Sequence, residues 1–152
     1  MTAVWMISIT VGCAAVIEDL LRRRISNWTS GGALLGGCTL QFIREGWHGA
    51  LGALCGAAVG FAVFSIFYLL QGMGGGDLKL MAGFGSLLGP AVILQAAWLA
   101  AVAGGLITIG LLSVRALMRR RYGVSQGAER AEFIPYAPAI VAGAWIALLG
   151  QR

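Results

Sequence analysis

The chain has 152 residues, 59% of them hydrophobic and only 11% charged, with a net charge of +5. Soluble domains carry about a quarter charged residues, so this composition excludes an ordinary soluble domain. The positive balance then speaks to membrane orientation rather than to nucleic acid, and no stretch is polar enough for a second domain.

An all-α polytopic membrane bundle of six helices is expected, as one domain over residues 1–152. The first predicted span runs from Ala3 to Asp19, with no basic segment before it, which reads as a retained span and not a cleaved signal. The second, from Trp28 to Ile43, is short and glycine-rich, and the third runs from Gly49 to Leu70. The fourth, from Asp77 to Leu88, is too short for about 30 Å of hydrocarbon unless it starts in the preceding glycine loop. Five spans and a re-entrant segment is the alternative. The fifth runs from Ala91 to Met118 and the last from Phe133 to Leu149.

Basic residues set the direction. Arg22, Arg23 and Arg24 follow the first span, Lys79 follows the third, and Arg115, Arg119, Arg120, Arg121 and Arg130 follow the fifth. Only Arg44 and Arg152 of the 11 basic residues fall on the other side. Positive loops stay cytoplasmic, so both termini are expected outside. Gly52, Gly56 and Gly60, and likewise Gly32 and Gly36, recur every fourth residue, a spacing that lets helix backbones approach in lipid.

Six acids exist. Glu45, Glu129 and Glu132 fall in polar loops, which leaves Glu18 and Asp19 at the inner end of the first span and Asp77 at the inner end of the third. Two crossings separate them, so they share a membrane face. Acids at such depth are costly and are paired or functional. One reading pairs Asp19 with Arg22 or Arg23 and Asp77 with Lys79 or an arginine. The other is a catalytic pair sharing a proton, one acid activating water and the other polarising a peptide carbonyl. Gly72, Gly74, Gly75 and Gly76 crowd the approach to Asp77 and would admit an extended backbone. A plain interhelical turn remains an alternative reading, and a phosphate loop is weaker, since no strand precedes it and the GK[ST] ending is missing.

Three segments, EDLLRRRISNW, GGGDLKL and FIPYAPAI, resemble the motifs of the type IV prepilin peptidases, membrane aspartic proteases of the GxGD kind, especially their short Flp/Tad-pilus form. The resemblance implies that Asp19 and Asp77 are the catalytic pair and that Glu18 is not, its side chain pointing about 100° away on a helix. It implies a prepilin substrate cut at the cytoplasmic face of a bacterial inner membrane, with Gly74, Gly75, Gly76, Lys79, Pro135 and Tyr136 around the substrate. Lys79 would tune Asp77, contact the substrate or anchor the helix. Ser26 stands where the family usually has proline, and Ala137 where it has glycine; Ser26 and Asn27 can still cap the second helix. Cys13, Cys38 and Cys55 are isolated and no C-x-x-C exists, so no zinc, no cofactor and no N-methylation are expected. His48, alone in an outer loop, is not expected to be a ligand. Rival readings are a small proton-coupled transporter, which broken helices and buried acids also mark, and a non-catalytic assembly factor.

Overall fold

The structure, a computed structural model, describes residues 2–22, 24–69, 74–122 and 137–151. Among the described residues the fold is four α-helices: α1 (Thr2–Arg22), α2 (Asn27–Leu69), α3 (Gly75–Tyr122) and α4 (Ala137–Leu149). The segments Ala3–Arg22, Asn27–Leu69 and Gly75–Gly110 are each long and apolar enough to cross a membrane. Four helices stand where six spans are expected, because α2 and α3 each join two helices across a kink. The second and third predicted spans fall within α2, and the fourth and fifth within α3. The reason is local: each junction takes a single glycine and no loop, Gly46 in α2 (φ 61°, ψ −142°) and Gly89 in α3 (φ 78°, ψ 171°). Positive φ is open to glycine and strained for other residues.

Packing shows that both glycines reverse the chain. Along the first arm of α2 (27–45) the partners on α3 advance with the sequence. Asn27 meets Lys79, a Cβ at Gly83 would touch Ala33, and Gln41 bonds to Leu87. Along the second arm (47–69) the partners run backwards, Gly56 facing Gly85 and Gly89, and Gly60 facing Met81. Gly60 also faces Ile93, so residues on both sides of Gly89 come to one point and α3 doubles back as well. Pro90 follows the reversal and has no N–H to continue the helical ladder. The amide of Gln41 donates to Leu87 O at 3.2 Å, taking a carbonyl in the last turn of the first arm of α3.

That first arm (75–88) is the centre of the bundle. Leu80, Met81, Phe84, Ser86 and Leu87 are all buried. At roughly 1.5 Å per residue the arm is about 21 Å long, short of a full crossing. Its role is to fill the core between the arms of α2 and the remaining helices. Ser86 Oγ lies 2.8 Å from Gly83 O and 3.3 Å from both Ala33 O and Leu34 O, tying the arm to α2.

The glycine faces differ in part from the fourfold spacing in the sequence. A side chain at Gly56 would overlap Gly85 O, and one at Gly60 would press on Met81 O, as expected for close helix contact. Gly52 and Gly32 have nothing nearby, and Gly36 only Ile7. The inward face of the first arm of α2 is instead Ser30, Ala33 and Gly37, one position further round the helix.

α1 and α4 run antiparallel along the bundle. Trp145 Nε1 donates to Ser8 O near one end, a side chain at Gly12 would meet Val141 and Trp145 midway, and Asp19 bonds to Ala137 near the other end. Both described ends of the chain thus lie at the end of the bundle away from Asp19.

Candidate active site

Asp19 and Asp77 come together at one end of the bundle from different helices. Asp19 lies in the penultimate turn of α1, 8% exposed, and its Oδ2 accepts the amide of Ala137 at 3.2 Å. Ala137 opens α4, where helix amides have no partner of their own, so Asp19 caps that helix. Asp77 lies in the first turn of α3, 7% exposed, and its backbone amide donates to Gly74 O at 3.2 Å. Each carboxyl therefore sits at the positive end of a helix. The two are close enough for their charges to interact.

Three buried side-chain oxygens, Ser8 Oγ, Gln41 Oε1 and Asp77 Oδ1, find no hydrogen-bond partner among the described residues, and the last lies at this site. Buried polar atoms are nearly always satisfied, and an exception at a site asks for a functional reason. Among the described residues the partners weighed from sequence do not form: Lys79 Nζ bonds to Asn27 Oδ1 at 2.9 Å and not to Asp77, and the described partner of Asp19 is a backbone amide and not an arginine. Arg23 lies outside the described residues.

The glycine loop serves its own chain first. A Cβ at Gly76 would lie 3.1 Å from Ile25 Cβ and 3.3 Å from Ile25 N, in the turn between α1 and α2. On the side where a side chain would stand, Gly76 thus packs against this turn. Gly75 is freer, with Tyr68 at 3.6 Å. Gly72, Pro135, Tyr136, Arg130, Glu129 and Glu132 lie outside the described residues.

The turn itself is built around two residues of which sequence found only one. Ser26 Oγ accepts the amide of Trp28 at 3.2 Å, the capping role its residue type predicts. Glu18, set aside from sequence, accepts Ser26 N at 2.8 Å through Oε2 and the Thr29 hydroxyl at 2.9 Å through Oε1. It faces α2 while its neighbour Asp19 faces α4, as 100° of helix rotation requires. A signal existed in the sequence: an acid eight residues before a Ser-x-x-Thr helix start, across a turn of four residues.

Chemically, the arrangement offers two neighbouring buried carboxyls, one with an uncommitted oxygen, beside a glycine-rich helix start. That suits the activation of a water between two acids.

Comparison with known proteins agrees. A model described as the type IV leader peptidase family matches residues 6–109. The chain is 33% identical over 119 residues to a prepilin leader peptidase/N-methyltransferase of Aeromonas hydrophila, covering 76% of this chain and 36% of that protein. A protein of the same description from Pseudomonas putida is 33% identical over 104 residues, covering 64% of this chain and 32% of its own length. This chain thus spans about a third of the length of the curated relatives it matches. No solved structure matches it. With two thirds of its sequence under one family model and both acids inside that stretch, the chain belongs to the type IV leader peptidase family.

Proposed function

We propose that the protein is an aspartic endopeptidase that removes the leader peptide of type IV prepilins of the Flp type, at the cytoplasmic face of a bacterial inner membrane and without N-methylation. The observation that carries this reading is the meeting of Asp19 and Asp77 at one end of the bundle, with Asp77 Oδ1 buried and without a hydrogen-bond partner among the described residues. In the proposed reaction the ionised acid takes a proton from water as the water oxygen attacks the scissile carbonyl carbon. The protonated acid gives its proton to the carbonyl oxygen. Collapse of the tetrahedral species breaks the C–N bond; the proton taken from water goes to the leaving amine, and one hydroxyl proton of the diol returns to the other acid, so that the pair again holds one proton. A leader joined to a membrane-embedded pilin helix explains why the acids lie within an apolar bundle. Both termini then face out and the arginine-rich turn after α1 faces in. Lys79 contributes through Asn27, holding the start of α3 against the start of α2.

The relatives are also N-methyltransferases by name, but no paired cysteines or methyl-donor motif in this sequence give these residues that role. A proton-coupled transporter is the poorer account, because the family match is to leader peptidases.

The test is cleavage of a co-expressed prepilin. Asp19→Asn and Asp77→Asn each abolish it, a loss of at least about 10²-fold for removing an acid or base, while the protein still accumulates in membranes. Normal cleavage by either variant refutes the aspartic mechanism.

A further inference from the structure

We infer that Glu18 is a positioning residue for the Asp77 site: it clasps the turn between α1 and α2, and that turn lies on Gly76, the residue before Asp77. The inference rests on the peptidase reading above. Both Glu18 oxygens are engaged, Oε2 by the Ser26 amide at 2.8 Å and Oε1 by the Thr29 hydroxyl at 2.9 Å. Asp77 is the opposite case, with an oxygen uncommitted. Each Glu18 oxygen is thus already engaged in holding the turn, although the residue is the immediate neighbour of Asp19.

What Glu18 holds bears directly on Asp77. Among the described residues of the turn, 24–26, Ile25 packs against the core, and hydrogen bonds hold Ser26 from both sides. Ser26 is tied to Trp28 and Ser30 on the α2 side. Glu18 is the tie from the α1 side. Between those anchors Ile25 stands with its amide 3.3 Å and its Cβ 3.1 Å from the place a Gly76 side chain would occupy. If the turn lifts, the support on that side of the α3 start goes with it. Across the same junction Lys79 Nζ bonds to Asn27 Oδ1, so α1, α2 and α3 are joined in sequence through Glu18, Ser26, Asn27 and Lys79. Placing a reacting group about 1 Å off is enough to cost on the order of 10²-fold in rate.

Residue 26 supplies the decisive control. Its N–H is the group that Glu18 satisfies. Proline there has no N–H and fixes φ, so it removes the need for the acceptor while stiffening the turn. The full chain, purified in micelles with a Flp-type prepilin, is assayed as wild type, Glu18→Ala, Ser26→Pro and the double variant. Glu18→Ala is expected to lower kcat about tenfold with KM little changed. Glu18→Ala/Ser26→Pro recovers most of that loss, and Glu18→Gln, which keeps one acceptor, falls in between. A Glu18→Ala variant as fast as wild type overturns the proposal, and so does a double variant no faster than Glu18→Ala, the result expected of an acid acting on the substrate itself.

A second arm reads geometry without activity. In a background with Cys13, Cys38 and Cys55 replaced by alanine, Ile25→Cys/Gly76→Cys puts two sulfurs on carbons 3.1 Å apart, a few tenths of an ångström inside the usual disulfide spacing, which a small shift of the turn restores. Its oxidation is expected to slow on Glu18→Ala and to recover with Ser26→Pro; an unchanged rate overturns the clasp. Absence of cleavage by the wild type, with these cross-linking responses intact, counts against the peptidase reading and for the clasp.

Discussion

Between Asp77 and Leu88 the first arm of α3 exposes only Lys79, whereas its second arm turns Trp98, Leu106, Ile109 and Leu117 outward, each more than 60% exposed. Both arms are apolar, and hydropathy alone does not separate them. Their difference lies in length and in what touches them. The short arm cannot cross the bilayer alone and is wrapped by protein, with Gly83, Gly85 and Ser86 letting α2 close on it. The long arm supplies length and faces lipid. The comparison teaches that burial in such a protein follows close backbone approach and not hydrophobicity, because lipid is as apolar as leucine. It also explains where Asp77 sits: a carboxyl is tolerated at the start of the arm that lipid does not reach.

The hardest blow to this arrangement is a side chain between backbones. At Gly85 a Cβ would overlap Gly56 O and lie within about van der Waals contact of Ala57 Cα, with no flexible atom to give way. Gly85→Leu is expected to abolish accumulation of folded protein. Gly105→Leu, with nothing within 4 Å, is expected to leave it intact. Expression level and size-exclusion behaviour in mild detergent check both. Equal tolerance would end the claim that the two arms have opposite surroundings.

A step down in size, Phe84→Ala on the short arm leaves a cavity in a fully buried site and is expected to cost about 3 kcal/mol. Trp98→Ala on the long arm, 75% exposed, is expected to change stability by less than about 0.5 kcal/mol. Unfolding by a denaturing detergent in mixed micelles reads both. A similar cost at the two sites would mean that Trp98 is covered in the assembled protein.

Sequence carried the site's outline because charge is scarce here. With six acids, basic residues on one side and crossings to count, Asp19 and Asp77 could be assigned to one face, and helix packing puts them at one end of the bundle. The Ser26 cap was legible for the same reason, since capping is local. What stayed hidden was tertiary. Gly46 and Gly89 look like many of the other 22 glycines until their positive φ is seen. While Gly56 and Gly60 on the second arm of α2 face α3 as expected, the inward face of its first arm was misassigned by one position, because a helix bounded by lipid on one side and protein on the other is apolar all round. Glu18 was passed over because its partners lie across a turn, 8 and 11 residues away.

Lys79 gives the smallest and most discriminating test. As the single exposed residue of the short arm between Asp77 and Leu88, it is open to two physical accounts: a cytoplasmic anchor acting by charge, or one half of a specific bond to Asn27 at 2.9 Å. An anchor tolerates arginine and does not sense residue 27. A bond does, and an exposed one of this kind is worth about 0.5–1 kcal/mol. A double-mutant cycle of Lys79→Met with Asn27→Ala isolates the shared term, provided neither change creates a new contact. We expect a coupling of about that size in micelle unfolding, and unchanged orientation by cysteine labelling of the turns, because the arginines after α1 remain to hold the inner face. A coupling of zero with inverted orientation would return Lys79 to the role of anchor. It would also leave the contact of Ile25 with Gly76, in the turn that Glu18 clasps, as the described support nearest to Asp77.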